Sequence, residues 1–199
     1  QDGTVSPYSY FGLGTFNPAN TVENNAMGGL SIYGDSIHIN LQNPASYGLL
    51  KLTTYTVGVS HRRMDLTSDT QEKSTALTAI DYLSIAMPIA ENFGIGFGIT
   101  PVTSMGYILN SSAENADGET ITNVFSGDGG LSKIYFSLGA APIKNLTIGA
   151  SAFANFGTVN KERIQSLSSV LFGTIDRRSS RMNGFNFQLA TNYTPNITD

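Results

Sequence analysis

The chain has 199 residues, enough for one domain, yet only 13% are charged, where ordinary soluble domains carry about a quarter. Its formal charge of −4 excludes a general nucleic-acid binder, and the absence of cysteine excludes disulfides, thiolate metal sites and a lipidated N-terminal cysteine. No run of 18 apolar residues offers a transmembrane helix, which leaves barrel strands open, because these are short and alternate.

Gln1-Asp2-Gly3 reads as a mature terminus left by signal-peptide cleavage. Residues 1–50 are rich in Gly, Asn, Pro and Ser and hold no sustained period, so they are set apart from residues 51–199. Six alternating segments follow. Tyr55, Val57 and Val59 oppose Thr54, Thr56, Gly58 and Ser60; Leu77, Ala79, Leu83, Ile85 and Met87 oppose Thr78, Tyr82, Ser84 and Ala86. Phe93, Ile95, Phe97 and Ile99 alternate with Gly94, Gly96, Gly98 and Thr100. Ile134, Phe136, Leu138 and Ala140 oppose Lys133, Tyr135, Ser137 and Gly139. Leu146, Ile148, Ala150, Ala152 and Phe156 oppose Thr147, Gly149, Ser151 and Asn155, and Phe185, Phe187, Leu189 and Tyr193 oppose Asn186, Gln188 and Asn192. Strand side chains alternate between faces, so each segment has one oily and one polar face. Such a pattern fits a membrane barrel or a half-buried antiparallel sheet.

Connection lengths favour the barrel. Residues 87–92 and 141–145 are short turns, and Tyr193-Thr194-Pro195-Asn196 starts a third; the connections near 65–74, 108–130 and 160–176 are longer and polar. Outer-membrane barrels have this asymmetry between short turns and long loops. The turns at Pro88, Pro142 and Pro195 repeat at spacings of 54 and 53 residues, as duplicated hairpins would. Proline is confined to turns except at Pro101, a candidate kink or bulge. Asp81 breaks the oily face of its segment, which signals a protein-covered flank or a slip in register. Six strands cannot close a bacterial barrel, which needs about eight. The chain is therefore expected to be the N-terminal part of a longer barrel, or to close with other chains.

Ala26-Met27-Gly28-Gly29-Leu30, then Asp35, then Asn43-Pro44-Ala45 resembles the start of FadL-type outer-membrane transport proteins. The resemblance implies an all-β, antiparallel transmembrane barrel of 14 strands, with residues 1–50 as an N-terminal hatch and residues 51–199 as barrel strands. It further implies passive uptake of fatty acids or other hydrophobic molecules, while some relatives of that family serve as accessory barrels in secretion or assembly complexes. Between its two motifs the family often carries more acidic residues than the single Asp35 found here.

Met27, Gly28 and Gly29 would let the hatch backbone lie close to the wall, or form a flexible linker. Asn43, Pro44 and Ala45 would seat the hatch, or make an ordinary turn before a strand. Arg62, Arg63, Arg177, Arg178, Arg181, Lys133, Lys161 and Arg163 lie near the long-loop ends. By parity Arg63, Arg177 and Arg181 face outward, toward lipopolysaccharide phosphates or a solvated rim. His38 and His61 fit no metal-ligand spacing, Asp117-Gly118-Glu119 and Asp128-Gly129-Gly130 read as turns and not calcium loops, and Gly12-Leu13-Gly14 lacks a dinucleotide-site context. No catalytic set, metal or cofactor is expected. Membrane lipid, lipopolysaccharide, hydrophobic small molecules and other outer-membrane subunits are the expected partners, in the outer membrane of a Gram-negative bacterium. The competing roles are a FadL-type transporter, a non-transporting accessory barrel in an assembly or secretion complex, and a soluble secreted β-sandwich or adhesin.

Overall fold

Each alternating segment is a strand in the computed structural model, which describes residue 4 and residues 6–67, 72–114 and 118–195. A short 3₁₀ turn at Pro7–Tyr10, strand β1 (Thr15–Phe16), helix α1 (Val22–Ala26) and a second 3₁₀ turn at Pro44–Leu49 come first. The long strands then follow as β2 (Thr54–Thr67), β3 (Glu72–Ala90), β4 (Phe93–Glu114), β5 (Thr120–Ile143), β6 (Leu146–Leu167) and β7 (Thr174–Tyr193). They pair antiparallel in sequence order, and β1 joins the sheet on β4.

The sheet is open. Strands β2 and β7 end the order, so the described residues do not close the expected barrel. The strands run further than the oily alternation. Strand β4 continues from Ile99 to Glu114 and β5 begins at Thr120, so most of the expected loop at 108–130 is paired strand. The same holds for 65–74 and 160–176, where β2, β3, β6 and β7 extend into the expected loops. The short turns shrink to Glu91-Asn92 and Lys144-Asn145, with Asn92 at φ 64.

The prolines correct one reading. Pro88 and Pro142 lie inside strands, not in turns, and each sits where the register shifts. A residue without an N–H is tolerated at such a bulge. Pro101 also marks a shift, as its position in β4 predicts. At Asp81 the register slips: Gly58 pairs with Tyr82 and Val59 with Ile80, leaving Asp81 as the extra residue. Below the bulge Leu83 belongs to the oily face and above it Ile80 does, which is why a strict alternation misplaces Leu77 and Ala79.

Residues 6–51 lie across one face of the sheet. There Ile39, Leu41, Tyr47 and Leu50 bury themselves against Tyr82, Ala86, Tyr135 and Phe153. Toward the long connections, Met105, Tyr107 and Val159 form a second cluster with Leu109, Phe125 and Met182. The opposite face stays bare. Phe97 is 43% exposed, Phe187 80% and Leu189 84%. Gln1-Asp2-Gly3, Asp117 and Asn196 fall outside the described residues.

Candidate functional site

The Pro44–Leu49 turn is the seat of the N-terminal segment. Asn43 caps it, its side-chain oxygen accepting from the Ala45 N–H at 3.1 Å, and Pro44 opens it without a wasted donor. The strands beneath offer glycine where the turn comes closest. A Cβ on Gly139 would lie 2.5 Å from the Gly48 nitrogen, and one on Gly149 would lie 2.3 Å from the Pro44 carbonyl carbon. Gly94 and Gly96 clear the Tyr47 backbone and ring in the same way.

Tyr47 is only 1% exposed, and burial pushes its phenol well above the ordinary range, so the group stays neutral. Its hydroxyl donates to the Tyr135 hydroxyl at 3.4 Å, and Tyr135 in turn shares a short hydrogen bond with Ser84. Three further bonds tie the segment to the wall. Gln188 Nε2 donates to the Gln42 carbonyl at 2.6 Å, Asn192 Nδ2 to the Ile32 carbonyl at 3.3 Å, and the Val22 N–H to the Tyr82 hydroxyl at 3.1 Å. The polar faces of the strands are therefore the ones the segment covers.

Strands β3 and β4 separate partway. Their register ends at Leu83 and Ile99, although both strands continue. The break coincides with the Asp81 bulge in β3 and with the shift beside Pro101 in β4. The chain's own N-terminal residues take over the vacated edge of β4. Thr15 and Phe16 pair with Ser104 and Thr103, and the Asn17 N–H donates to the Val102 carbonyl at 2.8 Å. Fully buried Ser9 completes the seal: its hydroxyl donates to the Ser6 carbonyl at 2.6 Å and accepts from the Gly106 N–H at 3.2 Å. Lys161 holds this stretch from β6, donating to the Tyr10 and Gly12 carbonyls at 3.1 and 3.3 Å. Nothing in the composition of residues 6–17 announces this role.

Between the sealing strand and β3 lies a cleft of about 530 Å³. Ile80, Leu83 and Ile99 line it on the bare side, and Asn17, Arg62 and Asp81 on the covered side. Arg62 and Asp81 approach to 3.7 Å, and Ser60 Oγ donates to Asp81 Oδ1 at 2.9 Å. Asp81 carried a sequence signal, the break in the oily face; Arg62 stood out only as one of several loop-side basic residues.

The residues singled out from sequence are distributed as follows. Met27 is the C-cap of α1, and Gly28 and Gly29 stop the helix at φ 72 and 83, their N–H groups bonding back to Asn25 and Asn24. Asn43, Pro44 and Ala45 lie in the buried seat, with Asn43 Nδ2 donating to the Ser31 carbonyl at 3.2 Å. Arg63, Arg177 and Arg181 lie on the bare face at the long-connection end; Arg177 bonds Glu162 and Arg63 approaches Asp65 at 3.5 Å. His61 bonds Thr78 across the β2–β3 pair at 2.9 Å. In the N-terminal segment, Asp35 accepts from the Ile37 and His38 N–H groups at 2.8 and 2.6 Å and also meets the His38 ring.

The model of one protein family, BamG, matches residues 1–199. This chain belongs to the BamG family. No curated protein and no solved structure matches it. Membership in BamG overturns the expected place among FadL-type transporters. The structure also explains why the motifs misled. The Met-Gly-Gly stretch is a helix stop and the Asn-Pro-Ala stretch a capped turn entry, both local solutions that recur in unrelated chains.

Proposed function

We propose that this chain is a non-enzymatic barrel subunit of a machine that assembles proteins in the bacterial outer membrane, and that it acts as an accessory or scaffold component. The observation that carries the reading is membership in the BamG family across the whole sequence, the family name pointing to the Bam assembly complex. The bare face supports membrane residence. On β4 it runs from Phe93 to Ile99, a rise of about 20 Å at about 3.3 Å per residue, near the about 25 Å apolar band of outer-membrane barrels. The edges of β2 and β7 are closed by further strands, because each unpaired backbone group in hydrocarbon costs several kcal/mol. Residues 6–51 are the plug of that barrel, and Arg63 and Arg181 meet lipopolysaccharide phosphates at its rim.

The test is affinity purification from outer membranes in mild detergent. Co-purification of other Bam subunits at fixed stoichiometry is the expected result. A chain that runs alone, or that leaves the membrane without detergent, refutes the reading.

A further inference from the structure

We infer that the cleft between β3 and β4 binds lipopolysaccharide, with one acyl chain at its apolar mouth and a head-group phosphate at Arg62. The inference rests on the membrane reading above. Three observations carry it.

First, the cleft is amphipathic along its depth: Ile80, Leu83 and Ile99 form the mouth on the lipid-facing side, and Arg62 and Asp81 lie on the covered side. Its volume of about 530 Å³ falls within the ~300–1,000 Å³ of ordinary ligand sites. Second, its level is right. The unbroken apolar alternation of β4 runs to Ile99 and that of β2 to Val59, so the cleft opens where hydrocarbon gives way to head groups on the long-connection side. In outer-membrane barrels that side faces outward, the leaflet that holds lipopolysaccharide.

Third, the guanidinium is available. Among the described residues Asp81 is its ionic partner at 3.7 Å, beyond hydrogen-bonding distance, while Asp81 Oδ1 already accepts from Ser60. The carboxylate thus orients Arg62 without consuming its paired N–H donors, which match a phosphate in bidentate fashion. The remaining acceptor capacity of Asp81 suits a sugar hydroxyl. Arg62 differs in this from Arg63, the next residue, which points to the other face.

The experiment uses the complex purified from outer membranes, stripped of lipid and offered bisphosphorylated lipid A, its dephosphorylated counterpart or phosphatidylglycerol, with retention read by native mass spectrometry. One bisphosphorylated lipid A should be retained per chain and its dephosphorylated counterpart about tenfold more weakly, the worth of a charge-assisted hydrogen-bond pair, with phosphatidylglycerol, a singly charged phosphodiester, between them. Arg62→Gln should lose the same about tenfold, whereas Arg178→Gln, at the same end of the sheet and bonded to Asp176, should leave retention within about twofold. If Arg62→Gln fails to insert, Ile80→Trp takes its place: its ring fills the mouth and should exclude lipid A with the charges intact. Equal retention of phosphorylated and dephosphorylated probes, or retention unaltered by Arg62→Gln or Ile80→Trp, overturns the inference. Extraction of the chain without detergent would instead sink the membrane reading, so the two failures are distinct.

Discussion

Gly149→Ala is the sharpest probe of the seat. The added methyl would lie 2.3 Å from the Pro44 carbonyl carbon, 2.4 Å from the Ala45 nitrogen and 2.5 Å from the Pro44 oxygen. All three are backbone atoms, so no side chain can swing aside. Two responses compete. Overpacking relieved by local shifts costs about 1–3 kcal/mol. Lifting the turn instead re-exposes Tyr47, an aromatic that buries about 150–250 Å² and so is worth about 4–6 kcal/mol at about 25 cal/mol per Å². The first response is cheaper, so we expect a loss of about 1–3 kcal/mol with the segment loosened but still seated. Gly184→Ala is the control: its Cβ would meet nothing within 4 Å, and the effect should stay within about 0.5 kcal/mol. Urea unfolding of the vesicle-held protein gives the energy, and tryptic cleavage after exposed Lys51 reports the loosening. If Gly149→Ala and Gly184→Ala prove indistinguishable in both assays, the reasoning about the seat is wrong.

Ser9→Ala removes the hydroxyl that accepts from the Gly106 N–H and donates to the Ser6 carbonyl, and should cost about 1–3 kcal/mol, read as faster amide exchange at Gly106 with exchange around Phe153 unaffected. Phe97→Lys places a charge midway along the bare face and should cost about 2–4 kcal/mol of insertion stability; full tolerance would mean that water already wets that face. The Asp35–His38 turn should hold within a pH window. Burial draws the Asp35 carboxyl upward, but bonds from the His38 and Ile37 N–H groups and the His38 ring outweigh it, and the net lies below the ordinary carboxylate value. The bond to Asp35 raises the His38 ring above its ordinary value, against a smaller opposing effect of burial. The carboxylate's contribution is present above its unfolded pKa of about 3.9 and fades as pH falls through the lowered folded value. The imidazolium's is complete below about 6.5 and fades as pH rises through the raised folded value. A proton-resonance titration of His38 should therefore shift downward in Asp35→Asn; an unchanged midpoint would remove the coupling.

The near-turn halves of the strands were legible because one side there is apolar and bare and a packed segment covers the other, so Phe93 to Ile99 alternates with glycine and threonine. Farther along, the bare face turns polar, with His61, Arg63, Glu162 and Arg177, while apolar Met105 and Tyr107 turn to the covered face. Strand pairing there is held by backbone groups whose presence leaves no mark on hydropathy, so paired residues read as loops. The seat was half legible: Asn43-Pro44 announces a turn, but that Gly139 and Gly149 lie under it depends on contacts across about a hundred residues. The seal at β1 was hidden entirely, because a two-residue strand has no period to detect.

The seat also orders events in time. Gln42 is held by Gln188 and Ile32 by Asn192, partners 146 and 160 residues later. These two anchors therefore wait for β7, although Val22 is already held by Tyr82, and Thr15 and Phe16 by β4, once those strands are in place. Until β3, β5 and β6 are paired, Ile39, Leu41, Tyr47 and Leu50 have no surface to pack on, and this is the period when a chain is most prone to stick to its neighbours. The seat is thus complete only once β7 has paired with β6.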